Sequence, residues 1–197
     1  ESPAICLVMV DGHVYSVGDS DTPFTIQSMS KPFTYGQALK TRGPDHVLER
    51  VGVEPTGESF NAIVLDEANN RPYNPMVNAG AIAVAAMMPG ADKAAREAGM
   101  FDLFSRLAGR RLWLDEAVYR SESETGHRNR VIAYMMLSAG MMEGEPEAVL
   151  GLYFRQCSVL VTARDMAVMA ATLAHRGTNP ITDVSVYEPE QVREVLT

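Results

Sequence analysis

Ser28 and Lys31 are the residues whose types and spacing point most directly to chemistry. They stand three positions apart in the stretch IQSMSKPF, and positions i and i+3 of a helix lie on one face. The lysine amine could take the serine proton there, while a helix N-terminus and the unpaired N–H of Ser28 would favour developing negative charge. Ser30 is adjacent to Lys31 and is predicted to point elsewhere, so its replacement by alanine should be mild. We interpret Ser28 as a nucleophile and Lys31 as its base; the alternative is a capping serine with a surface lysine.

The Ser-x-x-Lys pattern alone is weak support for this chemistry, because it occurs by chance in many proteins. The β-lactamases and penicillin-binding proteins, which share it, also carry the tripeptides S-D-N and K-T-G. Neither tripeptide occurs in this chain, which argues against membership of those two groups.

Several longer stretches resemble the serine-dependent glutaminases in order and spacing. They are IQSMSKPF, GVEPTGESFN, NPMVNAGAI, SESETGHRN, LYFRQCSV and MAATLAHRGTNPIT. NPMVNAGAI together with SE-x-x-x-G-x-RN is specific, and the resemblance extends over essentially all 197 residues. It implies a single glutaminase domain over residues 1–197, with an α+β, β-lactamase/transpeptidase-like fold. In that fold an antiparallel sheet, expected to be incomplete here, packs with a mostly helical lobe.

The resemblance also implies an activity and a set of site residues. The activity is hydrolysis of the side-chain amide of L-glutamine to L-glutamate and ammonia, without cofactor or metal. Carried over by motif, Ser28 is the nucleophile, Lys31 its base, and Tyr153 a further catalytic residue. The residues implied to hold glutamine are Gln27, Ser28, Asn78, Glu122, Asn129 and Tyr153.

The residue types at these positions suit glutamine, which is a zwitterion. Glu122 can pair with the α-ammonium through a charge-assisted hydrogen bond. Asn78 and Asn129 offer donors and an acceptor without adding charge. Tyr153 can donate a phenolic proton near the reacting centre or share charge with Lys31.

Each of these residues also has an ordinary structural interpretation. Asn78 and Asn129 could cap the helices that follow them. Glu122 could be a solvated glutamate in a charged loop, and Tyr153 could be an interior tyrosine. Arg128 is expected to be a salt-bridge partner.

Composition restricts the partners that the protein can have. The chain has a formal net charge of −8 and no Lys/Arg-rich block, so nucleic acid is not an expected partner. No apolar run reaches transmembrane length, so no membrane association is predicted. Cys6 and Cys157 are predicted to be reduced thiols in a cytoplasmic protein, and the four histidines show no ligand spacing. The expected partners are L-glutamine and, by family resemblance, further copies in a homo-oligomer, a dimer or tetramer.

The pattern predicts a hairpin followed by helices. ICLVMVDGHVYSVGD should form the hairpin with a type I′ turn at Asp11-Gly12, and FTIQ should extend the same sheet. Helices are predicted from near Ser28 to Gly43, then at 45–51, from Pro75 to Met88, and at 92–108. DEAVYRSESETGHRN is predicted to be a polar loop. Further helices are expected in RVIAYMMLSAG, EPEAVLGLYFRQCSV, TARDMAVMAATLAHRG and EPEQVREVLT. Pro146 is predicted to lie in the first turn of its helix, and Thr162 is predicted to be an N-cap with Asp165 three residues later.

The resemblance further implies that relatives continue beyond Thr197 with a lysine-bearing K-S-G strand that supplies a second oxyanion donor. An N-terminal segment would also be absent, so this chain is expected to be the middle of a glutaminase with little turnover by itself. Two other hypotheses stay open. The chain could be another Ser-x-x-Lys acyl-transfer hydrolase, or an inactive fragment or interaction module.

Overall fold

A computed structural model describes residues 3–197. In this range the chain forms nine α-helices and five short strands. The strands are β1 (Ala4–Val8), β2 (Val14–Gly18), β3 (Phe24–Thr25), β4 (Trp113–Leu114) and β5 (Val159–Val161). The helices are α1 (Lys31–Arg42), α2 (Pro44–Arg50), α3 (Asn78–Ala86), α4 (Lys93–Ala108), α5 (Glu116–Thr125), α6 (His127–Ser138), α7 (Pro146–Cys157), α8 (Ala163–Ala174) and α9 (Pro189–Leu196). A 3-10 turn, Gln27–Ser30, leads directly into α1.

Short-range sequence signals explain where many of the helices begin. Proline suits a first turn because its missing N–H would have no partner there and its φ is already helical. Four helices have proline at their first or second position: Pro32 in α1, Pro44 in α2, Pro146 in α7 and Pro189 in α9. Thr162 caps α8 in a capping box with Asp165, as the sequence predicts.

The N-terminal hairpin forms as predicted, but its turn differs from the prediction. β1 and β2 pair antiparallel from Ala4 opposite Gly18 to Val8 opposite Val14. The turn closes with Gly12 N–H donating to the Met9 carbonyl at 3.0 Å, and Gly12 has a φ of +87°. A type I′ turn at Asp11-Gly12 would need positive φ at both residues, and Asp11 does not have it. The predicted turn type is therefore wrong, because the chain reverses one residue earlier.

The strand after the hairpin joins a different sheet. β3 pairs antiparallel with β5, and β5 pairs antiparallel with β4, giving the order β3-β5-β4. The prediction that FTIQ extends the hairpin is therefore wrong. Ile26 N–H donates to the Val159 carbonyl at 2.8 Å, which fixes the chain just before the 3-10 turn to the end of β5.

The helical lobe has two clusters of buried apolar side chains. The first surrounds α3, whose residues 78–85 are all buried, and the second lies between α4, β5 and α8. Helices α1 and α7 contribute side chains to both clusters. These two helices therefore connect the two apolar clusters.

The segment predicted as a polar loop is helical. Asp115 caps α5 by accepting from two backbone N–H groups, and α5 has no buried residue, so its polarity resembles that of a loop. Gly126 is the single residue between α5 and α6. An added Cβ there would lie 2.4 Å from Cζ of Phe154 and 2.6 Å from the Glu122 carbonyl oxygen. Glycine is thus required by close packing at this corner.

We predict that Gly126→Ala destabilises the fold by about 1–3 kcal/mol, because the new methyl group overpacks a contact that includes backbone. Urea unfolding followed by circular dichroism measures the change. Gly151→Ala is the matched control, because a Cβ at this position in α7 meets nothing closer than the Tyr119 hydroxyl at 4.0 Å. That control should be neutral or stabilising by about 0.5–1 kcal/mol, as expected for alanine in a helix. Equal destabilisation by the two variants would contradict the packing argument.

Candidate active site

The 3-10 turn places an exposed serine beside a buried lysine. Ser28 is exposed, whereas Lys31, the first residue of α1, is 2% exposed. Within residues 3–197 the backbone N–H of Ser28 donates no hydrogen bond. Gln27 is half-buried, has a φ of +50°, and donates from Nε2 to Thr25 Oγ1 at 3.3 Å. The turn therefore presents a hydroxyl and a free N–H at one point on the surface.

The Lys31 amine is surrounded by neutral groups. Nζ donates to the Met76 carbonyl and to Asn78 Oδ1, each at 2.8 Å, and lies 5.9 Å from the ring centroid of Phe60. Burial lowers the pKa of Lys31 to about 8. At pH 7 about a tenth of the molecules then carry a neutral amine able to accept a proton.

Ser28 and Lys31 are not hydrogen-bonded to each other through their side chains within the described residues. Their direct link is in the backbone, where the Lys31 N–H donates to the Ser28 carbonyl. Catalytic hydrogen bonds are often formed only when substrate binds. The two residues are thus adjacent, and a hydrogen bond joins their backbones but not their side chains.

Asn78 is the centre of the polar network. Its Oδ1 accepts from Lys31 Nζ at 2.8 Å and from the Tyr153 hydroxyl at 3.4 Å, and its Nδ2 donates to Asn129 Oδ1 at 3.2 Å. The sequence predicts that this helix begins at Pro75, but α3 begins at Asn78. The reason is a turn at 74–77, in which Asn74 Oδ1 accepts from the Met76 and Val77 N–H groups. Val77 is the N-cap, so the alternative role of Asn78 as a cap is wrong.

Tyr153 lies on α7, is 3% exposed, and has its hydroxyl in this network. Burial, the neighbouring Cys157 and the Glu122 charge raise the pKa of Tyr153 well above its usual value. Burial raises the pKa of Cys157 to about 12. Both groups therefore remain protonated near neutral pH, and Tyr153 is a permanent donor.

Glu122 and Asn129 approach from the two sides of the Gly126 corner. Glu122 is half-buried on α5, and its charge affects both Tyr153 and Cys157. Its carboxylate makes no hydrogen bond or salt bridge with any residue in 3–197. Asn129 is the third residue of α6, whose N-cap is Gly126, so it is not the cap. The site therefore has one unpaired anion at its edge.

The structure brings together most of the residues predicted for the site. Hydrogen bonds join Lys31, Asn78, Asn129 and Tyr153, and Ser28 adjoins them through the 3-10 turn. The backbone carbonyl of Met76 and the ring of Phe60 were missed, although both lie in stretches that carried the resemblance. Neither is a residue type that sequence reasoning assigns to proton transfer.

Arg128 makes no salt bridge in the described residues; its Nε donates to the Asn61 carbonyl at 2.6 Å, so that prediction is wrong. A cavity of about 720 Å³ lies elsewhere, beside Arg111 and Trp113, and shares no residue with the network. Converging polar groups with a depressed lysine pKa identify a site better than cavity volume does.

Membrane-spanning helices and metal-binding clusters are both absent from residues 3–197. No helix there is long and apolar enough to cross a bilayer. No group of three or more His, Cys, Asp or Glu residues there is arranged to hold a metal ion.

Comparison with known proteins decides the family. The glutaminase family model matches residues 1–197. The chain belongs to the glutaminase family. A glutaminase from Nostoc sp. is 52% identical over 194 residues, which are 98% of this chain and 58% of that relative. Glutaminase 2 from Bradyrhizobium diazoefficiens is 51% identical over 193 residues, 98% of this chain and 31% of the relative.

Solved glutaminase structures share the fold. A Bacillus glutaminase in 4.3 M NaCl superposes with a TM-score of 0.92 at 38% identity, covering 98% of this chain and 65% of that one. Mglu in its L-glutamate binding form superposes with a TM-score of 0.91 at 41% identity, covering 98% and 44%. The predicted α+β, β-lactamase-like fold is confirmed. The chain spans between about a third and three fifths of the length of the two curated relatives named.

We predict that the Lys31 amine titrates near pH 8, because its burial among neutral groups penalises the charged form. The chain has three lysines, so ε-¹³C-lysine NMR can follow Lys31 against exposed Lys93 as an internal reference. Asn78→Asp places a carboxylate beside Nζ and should move the Lys31 midpoint upward, toward the ordinary value of about 10.4. A parent midpoint already at that value would contradict the burial argument.

Proposed function

We propose that this glutaminase chain carries the nucleophile, the base and most substrate contacts for hydrolysis of L-glutamine to L-glutamate and ammonia. The observation that carries the proposal is a buried lysine of depressed pKa, held by neutral acceptors, three residues after an exposed serine. Mglu has been observed in an L-glutamate binding form, and L-glutamate would be the product here.

Acylation begins when the neutral Lys31 amine accepts the Ser28 hydroxyl proton. Ser28 Oγ attacks the side-chain amide carbon of glutamine, and the resulting oxyanion accepts a hydrogen bond from the free Ser28 N–H. The protonated Lys31 returns its proton to the amide nitrogen, with Tyr153 as a neighbouring donor. The carbon–nitrogen bond breaks, ammonia leaves, and a γ-glutamyl ester remains on Ser28.

Deacylation repeats these steps with water. Neutral Lys31 takes a proton from the water, whose oxygen attacks the ester carbon. The ester bond breaks, Ser28 regains its proton from Lys31, and L-glutamate is released. Tyr153 remains protonated throughout, because its pKa is raised.

Three residues of the site would hold the α-amino-acid end of glutamine. Glu122 has an unpaired carboxylate for the α-ammonium, and the side-chain amides of Asn78 and Asn129 can serve the α-carboxylate. Gln27, adjacent to the nucleophile, would contact the reacting amide.

The remaining proposals concern the protein as a whole. The sharing of α1 and α7 between both apolar clusters supports a single domain over residues 1–197. A cytoplasmic location fits the two unpaired cysteines, Cys6 and Cys157. A homo-oligomer fits the exposed apolar face of α6, where Tyr134 is 52% exposed.

We predict that Ser28→Ala lowers turnover by about 10⁶-fold, the order found when a serine hydrolase loses its nucleophile. The assay follows ammonia release from glutamine, in the full-length natural polypeptide that contains these residues.

Parent activity should rise with pH through about 8, because the base must be neutral, and Lys31→Arg should be nearly inactive.

Ser185→Ala, at an exposed serine away from the network, is the control and should retain activity. Activity persisting in Ser28→Ala would exclude the assigned nucleophile. Turnover of a chromogenic β-lactam in place of glutamine would instead favour another acyl-transfer hydrolase.

We predict that Glu122→Gln raises the KM for glutamine sharply, since losing one partner of a buried charge pair costs about 2–5 kcal/mol. The variant should also discriminate less against glutamine analogues that lack the α-amine. Glu124→Gln is the matched control, because Glu124 is exposed on the same helix. If both variants had the parent KM, Glu122 would not contact the substrate.

A further inference from the structure

Gln27, the residue before the proposed nucleophile, has an uncommon backbone conformation. Its φ of +50° is in the left-handed region, which non-glycine residues adopt at a cost of about 1–3 kcal/mol. Such a conformation persists only where neighbouring groups hold it. The groups that hold Gln27 therefore contribute to the geometry of the turn that carries Ser28.

One buried polar side chain, Ser30, holds this residue through its carbonyl, and a second, Gln156, holds Ser30. The Ser30 hydroxyl donates to the Gln27 carbonyl at 2.6 Å, and Gln156 Nε2 on α7 donates to Ser30 Oγ at 3.0 Å. Ser30 is 0% exposed and Gln156 is 1% exposed. Because a carbonyl only accepts, the single Ser30 proton is committed to it, and Gln156 must present its amide nitrogen.

The carbonyl of Gln27 and the N–H of Ser28 belong to one planar peptide unit and point in opposite directions. Holding the carbonyl toward the buried Ser30 therefore turns the Ser28 N–H outward, where it has no partner in residues 3–197. A hydrogen bond to the carbonyl also polarises the peptide and strengthens its N–H as a donor.

We propose that Ser30 and Gln156 are positioning residues that hold the Gln27–Ser28 peptide so that the Ser28 N–H faces the developing oxyanion. The inference rests on the proposed function of this site and changes the sequence-based expectation for Ser30, whose replacement is no longer expected to be mild. Gln156 acts through Ser30 and touches no reacting atom. Tyr153 lies three residues before Gln156 on α7. One face of that helix therefore contacts both Asn78, through Tyr153, and Ser30, through Gln156.

Steady-state kinetics of Ser30→Ala and Gln156→Met in the full-length natural polypeptide test the proposal. A misdirected donor weakens transition-state stabilisation, so kcat should fall about 10- to 100-fold, less than the 10²–10³ for loss of an entire donor. KM should stay within about three-fold, because the donor acts on the oxyanion and not on the bound amide. The double variant should be no slower than Ser30→Ala, because Gln156 acts only through Ser30.

Ser158→Ala is the matched control. Ser158 is 0% exposed, adjoins the end of α7, and donates to the Phe154 carbonyl at 2.8 Å without touching the turn. The Ser158→Ala variant should have a lower Tm in thermal unfolding, as is also expected for Ser30→Ala, but it should keep the parent kcat. Parent kcat in both test variants, or an equal loss in Ser158→Ala, would overturn the positioning role.

Labelling of Ser28 by a fluorophosphonate separates this inference from the choice of substrate. In that reaction Ser28 Oγ bonds to phosphorus, fluoride leaves, and the serine proton passes to Lys31. If the parent protein does not hydrolyse glutamine, the proposed function fails, but slower labelling of Ser30→Ala and Gln156→Met still supports the positioning role. Equal labelling rates in parent and variants, or no labelling of Ser28 in the parent, would overturn it.

Discussion

The burial of one amine, Lys31 Nζ, is the constraint on which the rest of the site depends. An ammonium in an apolar interior is unfavourable unless its protons are bonded, and here a carbonyl and a side-chain amide accept them. Meeting that need requires the chain before α3 to bring Met76 close and α3 to begin at Asn78. The apolar clusters on both sides of α1 exclude water, and this is what lowers the lysine pKa.

Most side chains around Lys31 are neutral. Tyr153 and Cys157 stay protonated, the two asparagines are neutral, and Glu122 is the one anion of the group. A second carboxylate next to Lys31 would hold the amine charged and remove its use as a base. The acceptors of the Lys31 amine are thus neutral, and the Glu122 carboxylate makes no hydrogen bond with it.

Local rules placed several helix starts correctly, although they failed for the hairpin turn and for the start of α3. Pro146 and the Thr162 capping box gave helix starts correctly, because capping depends on a few neighbouring residues. The polar α5 looked like a loop because no side chain on it is buried. The site residues came from a family resemblance, whereas the hydrogen bond between Ser30 and Gln156 joins residues 126 positions apart, which no local rule predicts.

The glycine corner between α5 and α6 couples two positions that lie far apart in the sequence. Phe154 packs where a Cβ of Gly126 would be, so α7 lies directly against the corner. Glu122 lies one helical turn before that point and Asn129 three residues after it. A side chain at 126 would therefore have to be combined with a smaller side chain at 154, and the Glu122 carbonyl oxygen, 2.6 Å from the new Cβ, would also have to move.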